Sequence, residues 1–207
     1  MTNVIEIHPE SPQKRLIRQA VSVLESSGVV VYPTDSGYAL GCVVGEKSVL
    51  DRICRIRQLK KNHLFTLMCR DLSDISVYAR VDNPTYRLLK AHAPGNYTFI
   101  LQATKALPKL LKHPKRKTIG VRVSPNPITQ AMLEGLESPM LSVSLIMPED
   151  EYAPADIAEV EDALSGRVDL IVDGGVCPVE PTSIVDLTAS EPVIVREGKG
   201  DIEPFIW

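Results

Sequence analysis

The sequence predicts an α/β fold built on a twisted, mostly open mixed sheet with interleaved helices, and three observations point there. Short runs of Val, Ile and Leu, too brief for helices, alternate with stretches whose apolar residues recur at helical spacing. Sixteen prolines punctuate the 207 residues, as a chain of many short elements requires. Aromatic residues are only 5% of the chain, so β-branched and aliphatic side chains must fill the core, the composition of strands packed against helices. With no repeat, no low-complexity stretch and no long linker, residues 1–207 are expected to form a single domain.

Taken in order, Ser11-Pro12 offers an N-cap followed by proline in the first turn. Leu16, Ile17, Ala20, Val21 and Leu24 then mark one helix face, stopped by Ser26-Ser27-Gly28. Val29 to Tyr32 is a β-branched run ended by Pro33 and reads as a buried strand. A polar turn, Thr34-Asp35-Ser36-Gly37, leads into a second strand through Cys42. Val49, Leu50, Ile53 and Ile56 define a helix from Lys47 to about Arg57. Further on, strands are expected at Leu64 to Cys69, Tyr97 to Ala103, Thr118 to Val123 and Met140 to Ile146, then at 170–172, 184–187 and 193–195. Helices are expected at Pro84 to His92, after the Asn126-Pro127 cap as far as Leu136, and at Ala155 to Leu164.

Composition excludes several classes. No apolar run approaches the roughly 20 residues of a membrane span, and the first residues, MTNVIEIHPESPQKR, lack a basic-then-apolar leader; a soluble, cytoplasmic protein is expected. Cys42, Cys54, Cys69 and Cys177 contain no CxxC pair, and His8, His63, His92 and His113 show no ligand spacing, so neither a disulfide framework nor a protein-ligated metal is expected. The oligomeric state is not legible. The net charge of −3 conceals a split. Fifteen of the 26 acids but only 3 of the 23 bases follow residue 148, leaving +9 on residues 1–148 and −12 on the rest. Two acid-free cationic runs stand out in the basic part: Arg52, Arg55, Arg57, Lys60, Lys61 and Arg70 between Asp51 and Asp71, and Lys105, Lys109, Lys112, Lys115, Arg116 and Lys117. Such runs suit phosphate or a nucleic-acid backbone. Helical spacing cannot place both Arg55 and Arg57 on one solvent face, so one of them must turn toward the following loop.

Walker A, GxGxxG and GxSxG motifs are all missing. Small polar loops beside strand ends remain: Pro33-Thr34-Asp35-Ser36, Pro94-Gly95-Asn96-Tyr97-Thr98, Gly120-Val121-Arg122, Ser142-Val143-Ser144 and Pro181-Thr182-Ser183. In open α/β sheets ligands gather at such loops. A cysteine-dependent hydrolase using Cys42 or Cys69 with His92 or His113 is an alternative.

In this order, together with Arg55-Ile56-Arg57, Thr182-Ser183-Ile184-Val185-Asp186 and Arg196-Glu197-Gly198, these segments resemble the YrdC-like family of threonylcarbamoyl-AMP synthases, and its YciO branch in particular. The resemblance runs from about Leu16 to Gly200. It implies a twisted sheet enclosing a basic concave cavity, and ATP, L-threonine and bicarbonate as ligands, with Mg2+ arriving on ATP. It further implies a link to threonylcarbamoyladenosine in tRNA, with RNA, either double-stranded RNA or tRNA, as partner. By the same resemblance Thr34, Arg122 and Thr182 belong to the threonine side, Arg122 gripping the carboxylate, and Arg55, Arg57, Thr98, Ser144 and Arg196 to the nucleotide side. Lys60, Lys61, Lys112, Lys115, Arg116 and Lys117 are the candidate RNA contacts; no catalytic group is assigned. A non-catalytic RNA-binding module is the competing reading.

The chain also departs from the synthase pattern. Arg55-Ile56-Arg57-Gln58 stands where the synthases read Lys-x-Arg-Pro, and Val143-Ser144-Leu145-Ile146 where they read Thr-Ser-Ala-Asn. Arg70 occupies a histidine position, adding positive charge where an ammonium group would lie. These departures imply a retained anion cavity and weakened synthase chemistry.

Overall fold

A computed structural model describes residues 2–60 and 63–206. Its strands are β1 (Asn3–Glu6), β2 (Val30–Thr34), β3 (Gly37–Val43), β4 (Thr66–Met68), β5 (Tyr97–Gln102), β6 (Thr118–Arg122), β7 (Met140–Ser144), β8 (Leu170–Asp173), β9 (Ser183–Asp186) and β10 (Val193–Arg196). Six α-helices accompany them: α1 (Lys14–Glu25), α2 (Lys47–Arg57), α3 (Leu72–Tyr78), α4 (Asn83–His92), α5 (Pro127–Leu136) and α6 (Ile157–Leu164). The ten described strands form one mixed sheet in the order β1-β8-β2-β3-β7-β4-β6-β5-β9-β10, so the expected fold class is the observed one.

Most expected elements appear within a residue or two of their limits. Helix α1 is a correction: it starts at Lys14 with Gln13 as the N-cap, two residues beyond Ser11. The Gln13 backbone carbonyl accepts from Leu16 and Ile17 N–H, while its side-chain Oε1 accepts from the His8 backbone N–H at 3.1 Å. Helix α6 likewise begins at Ile157, because Asp156 caps it by accepting from Ala158 and Glu159 N–H. Two elements were not expected. Edge strand β1 lies parallel to β8, and α3 is opened by Asp71, whose carboxylate accepts from Ser73 and Asp74 N–H.

Two cores occupy opposite faces of the sheet. On one face α2, α3, α4 and α6 bury Ile53, Ile75, Leu89 and Val160 against Leu40, Leu67, Val121 and Val185. On the other, Ile17, Ala20, Val21 and Leu24 of α1 pack with Ile128, Met132 and Leu133 of α5 onto Val30, Tyr32, Leu170 and Val172. Each fully buried aliphatic side chain contributes roughly 1.5–3 kcal/mol, so the α1–α5 pair fixes that end of the sheet firmly. Met140 of β7 and Met68 of β4 still belong to this second core, but toward β6 and β5 the same face turns polar. Strand alternation places Thr66, Thr98, Arg122, Ser142 and Ser144 on it: Thr66 pairs with Ser142 and Gly120, and Phe99 opposite Val121 sets Thr98 and Arg122 on the same side. A polar floor is therefore left open where a core would otherwise continue.

Candidate functional site

The floor is built from the turn between β2 and β3. Gly37 adopts φ +89°, and a Cβ there would sit 2.5 Å from the Ala153 Cβ, so the tight reversal and the close approach both require glycine. Thr34 Oγ1 donates to the Gly37 carbonyl at 2.6 Å and accepts from Ser36 N–H at 3.1 Å. Its hydroxyl is thus used inside the turn, and Thr34 is not among the residues that line the cavity. Ser36, by contrast, accepts from Arg122 Nη1 at 2.9 Å.

Arg122 is the deepest cation of the site, with 7% of its side chain exposed. Its Nη2 meets Asp35 Oδ2 at 2.6 Å as an ion pair, yet neither atom, nor Arg122 Nε, completes a hydrogen bond of acceptable geometry. Asp35 Oδ1 is held by the Ser124 hydroxyl. Buried guanidinium donors left without acceptors carry a cost of about 1–3 kcal/mol each, which an anionic ligand oxygen would relieve. Below this pair, the Tyr32 and Ser142 hydroxyls meet at 2.5 Å, and burial, opposed by that bond, raises the Tyr32 hydroxyl above its ordinary range.

Two further guanidiniums join Arg122 along the cavity wall. Arg57, at the end of α2, donates from Nε to the Ser144 carbonyl at 2.7 Å. Arg196, in β10, donates from Nε and Nη2 to the Thr182 carbonyl at 3.0 and 2.7 Å. Gly198 holds that segment close, since a Cβ there would lie 2.2 Å from the Pro181 carbonyl oxygen. Each arginine is oriented by a backbone carbonyl, and among the described residues neither has a carboxylate within ion-pair distance. Half-burial lowers the proton affinity of both, with the Arg122 field adding to the effect at Arg196. Thr98 and Thr182 hydroxyls lie 3.0 Å apart between them. His63, held edge-on to Phe65 at 5.2 Å between centroids, faces the same space, and burial followed by the charge of Arg57 lowers its pKa below 6.5.

The space has two chambers. The inner one, about 180 Å³, is lined by Arg57, His63, Thr98 and Arg122 among others. An outer one of about 270 Å³ is rimmed by Ser36, Glu151, Tyr152 and Val179. Ser144, Ile146, Thr182 and Arg196 line both, so they form the neck of one cavity of small-molecule size. Larger grooves lie by Arg80 and Asp82, along the acidic 149–151 segment, and between α1 and α5. None of these brings three guanidiniums together.

A family model described as telomere recombination, covering Sua5, YciO and YrdC, matches residues 22–198. The chain belongs to the Sua5/YciO/YrdC family. It is 55% identical to YciO of Escherichia coli K12 over the full length of both chains, and it superimposes on the crystal structure of E. coli YciO with a TM-score of 0.97, covering all of each. A threonylcarbamoyl-AMP synthase of Vibrio vulnificus is 26% identical over 76% of this chain and 86% of its own. Pyrococcus abyssi Sua5, solved with L-threonine, shares the fold at TM-score 0.90 and 22% identity, over 98% of this chain and 59% of its own.

Within this family fold, the residues placed on the nucleotide side divide. Arg57, Thr98, Ser144 and Arg196 line the cavity, and so do Arg122 and Thr182. Arg55 does not: its side chain is exposed and its Nε lies 3.4 Å from the Asp51 carbonyl one helical turn back. Helical geometry turns Arg57 inward and Arg55 outward, as their spacing required. Arg70 is also corrected. It forms a two-pronged pair with Asp74, Nε to Oδ2 at 2.8 Å and Nη2 to Oδ1 at 2.6 Å, so its charge is cancelled rather than added to the cavity. Val143 and Ile146 do line the cavity, as an apolar wall.

Of the candidate RNA contacts, Lys60, Lys115 and Arg116 are exposed, although Arg116 leans on Asp186 at 3.4 Å. Lys112 and Lys117 donate to the Thr104 and Pro114 carbonyls at 2.6 and 2.7 Å. Lys61 lies outside the described residues. No described helix is long and apolar enough to cross a membrane. The cysteine alternative loses its chemistry: burial pushes the Cys42 thiol up to about 12 and Cys69 higher still. His92 and His113 are meanwhile engaged, His92 Nδ1 with the Leu88 carbonyl and His113 Nδ1 with Arg116 N–H.

Sequence reasoning overlooked Ser36, Ser124 and His63. Ser36 and Ser124 flank the Asp35–Arg122 pair and follow from it only once the fold is known. His63 sat between a cationic run and a strand, a position that signalled nothing by itself.

Proposed function

We propose that this protein binds ATP and L-threonine in the two-chambered cavity and forms threonylcarbamoyl-AMP, the donor for threonylcarbamoyladenosine in tRNA, at a rate limited by the apolar wall of Val143 and Ile146. One observation carries the reading: Arg57, Arg122 and Arg196 converge on one cavity, and Arg122 Nε is a buried donor without an acceptor among the described residues. In this reaction the threonine amine adds to the carbon of bicarbonate, water leaves, and the resulting carbamate oxygen attacks the α-phosphorus of ATP, displacing pyrophosphate. Arg122 would hold the threonine carboxylate through its fork, with the Thr182 hydroxyl beside it. Arg57 and Arg196 would neutralise the pyrophosphate as it departs, aided by Thr98 and Ser144. The walls offer guanidinium and hydroxyl groups, so magnesium entering with ATP would be held on phosphate oxygens. The side chains of Val143 and Ile146 supply no hydrogen bond to a ligand, and one missing transition-state donor costs on the order of a hundredfold in rate.

The test is pyrophosphate release from ATP with and without L-threonine and bicarbonate. Threonine-dependent release, lost in Arg196→Ala and Arg122→Ala, is the expected result. Arg196→Ala is the cleaner variant, because Arg122→Ala also strands Asp35. Failure of ATP to bind at all sinks the proposal.

A second reading, RNA binding, is favoured by the exposed Lys115 and Arg116 at the turn that enters β6. If phosphate contacts drive it, log affinity for double-stranded RNA or tRNA falls steeply with log salt, and the double charge reversal Lys115→Glu and Arg116→Glu flattens the slope by about two. Affinity indifferent to salt contradicts this reading.

A further inference from the structure

We infer that His63 is the proton-accepting member of the cavity, and that an anionic ligand is bound together with a proton taken up from solvent by its imidazole. The inference rests on the anion-binding reading above and adds a coupled proton to it. Among the described residues His63 is the one histidine that lines the cavity. Its ring packs edge-on to Phe65, and its backbone N–H donates to the Lys60 carbonyl at 3.0 Å, which holds the segment against the cavity.

The surrounding charges explain why the proton waits for the ligand. Arg57 faces His63 from the end of α2, Arg122 from β6 and Arg196 from β10, with the hydroxyls of Thr66, Thr98, Ser144 and Thr182 between them. The acids nearest the cavity stand elsewhere: Asp35 is paired with Arg122, Asp150 acts on Arg57 from the 149–151 segment, and Glu151 belongs to the outer rim. Burial, and after it the charge of Arg57, therefore disfavour the imidazolium. A phosphate or sulfate among the three guanidiniums reverses the local sign. An opposite charge within about 4–6 Å favours the charged form by tenfold or more. The imidazolium then adds a fourth cation and a new donor N–H, and on release the proton returns to solvent.

The sign is definite: the proton affinity is low in the free protein and high in the complex, so anion binding tightens as pH falls. Two probes make the test, ATP and inorganic sulfate, the latter having no proton to gain or lose near neutrality. Isothermal titration of the full chain at pH 7 in buffers of different ionisation heat should show proton uptake with sulfate. Sulfate affinity should rise about tenfold between pH 8 and pH 6. His63→Gln, which keeps a polar side chain, should bind sulfate with no uptake and a flat pH profile; His63→Asn serves if that variant does not fold. The imidazole resonance of His63, followed by NMR, should titrate below 6.5 in the free protein and higher with sulfate bound. Equal titration with and without sulfate, or the same pH profile in wild type and variant, overturns the role of His63 while leaving the cavity reading intact. Absence of any ATP or sulfate binding overturns both.

Discussion

Of the three described arginine–aspartate pairs with a 2.6 Å closest approach, two have opposite meanings. Arg70 and Asp74 lie four residues apart around the start of α3 and satisfy one another through two guanidinium nitrogens, with the Arg70 backbone N–H as a third donor to the carboxylate. Arg122 and Asp35 come together from β6 and the turn after β2, are both nearly buried, and leave Arg122 Nε without an acceptor. A pair that closes on itself staples local structure. A pair that stays chemically open, in a cavity with two more guanidiniums, is the one we propose as part of an anion receptor. Distance alone would not have told them apart; the unfinished donors do.

The comparison can be broken, and the strongest blow is Asp35→Asn. Removing one partner of a buried pair costs about 3–5 kcal/mol, so urea denaturation should show a loss of that size, partly restored by saturating L-threonine, whose carboxylate would give Arg122 an anion again. If L-threonine gives the variant no more stabilisation than the wild type, the pair is merely structural. Asp74→Asn should cost less, about 2 kcal/mol, since Arg70 is a third exposed and screened by solvent. It should leave ATP affinity unchanged. Burial alone would raise the Asp74 pKa, but the Arg70 bonds outweigh it and hold it below 3.8. A carboxylate depressed in the folded state stabilises above its unfolded pKa, and that support is lost as pH falls through about 4 and below. The acid limb of a stability profile should therefore shallow in Asp74→Asn. A smaller effect is expected at Tyr32→Phe, about 1 kcal/mol for the bond to Ser142, with the floor beside Ser142 slightly loosened; a change in ATP affinity beyond twofold would mean that this bond positions the site as well.

The legibility of the sequence tracks burial. Strands β2, β3, β7 and β8 stood out because the cores on the two sheet faces demand apolar residues at successive positions. Strand β1 did not, since Ile5 is its one buried residue, and α3 did not, because seven residues bury only Asp74 and Ile75. The Asp71 cap was visible in the sequence but had no apolar stripe to announce. At the site, Arg57, Arg122 and Arg196 were found through loop order and resemblance. Thr34 and Arg70 are placed away from the cavity wall for one shared reason: side-chain type reveals what a group can donate, not whether a neighbour already takes it. For Arg70 the neighbour was in plain view, four residues along in Asp74.

Arg122 stands on an interior strand hydrogen-bonded on both sides, whereas Arg196 rides on β10, an edge strand with one neighbour and a register shift between Ile194 and Arg196. Opening an edge strand breaks half as many ladder bonds as opening an interior one, so β10 belongs to the less protected part of the sheet. Amide exchange should accordingly be faster in Val193–Arg196 than in Thr118–Arg122. Of the cavity's cations, Arg122 therefore belongs to the better protected frame of the sheet and Arg196 to its less protected edge.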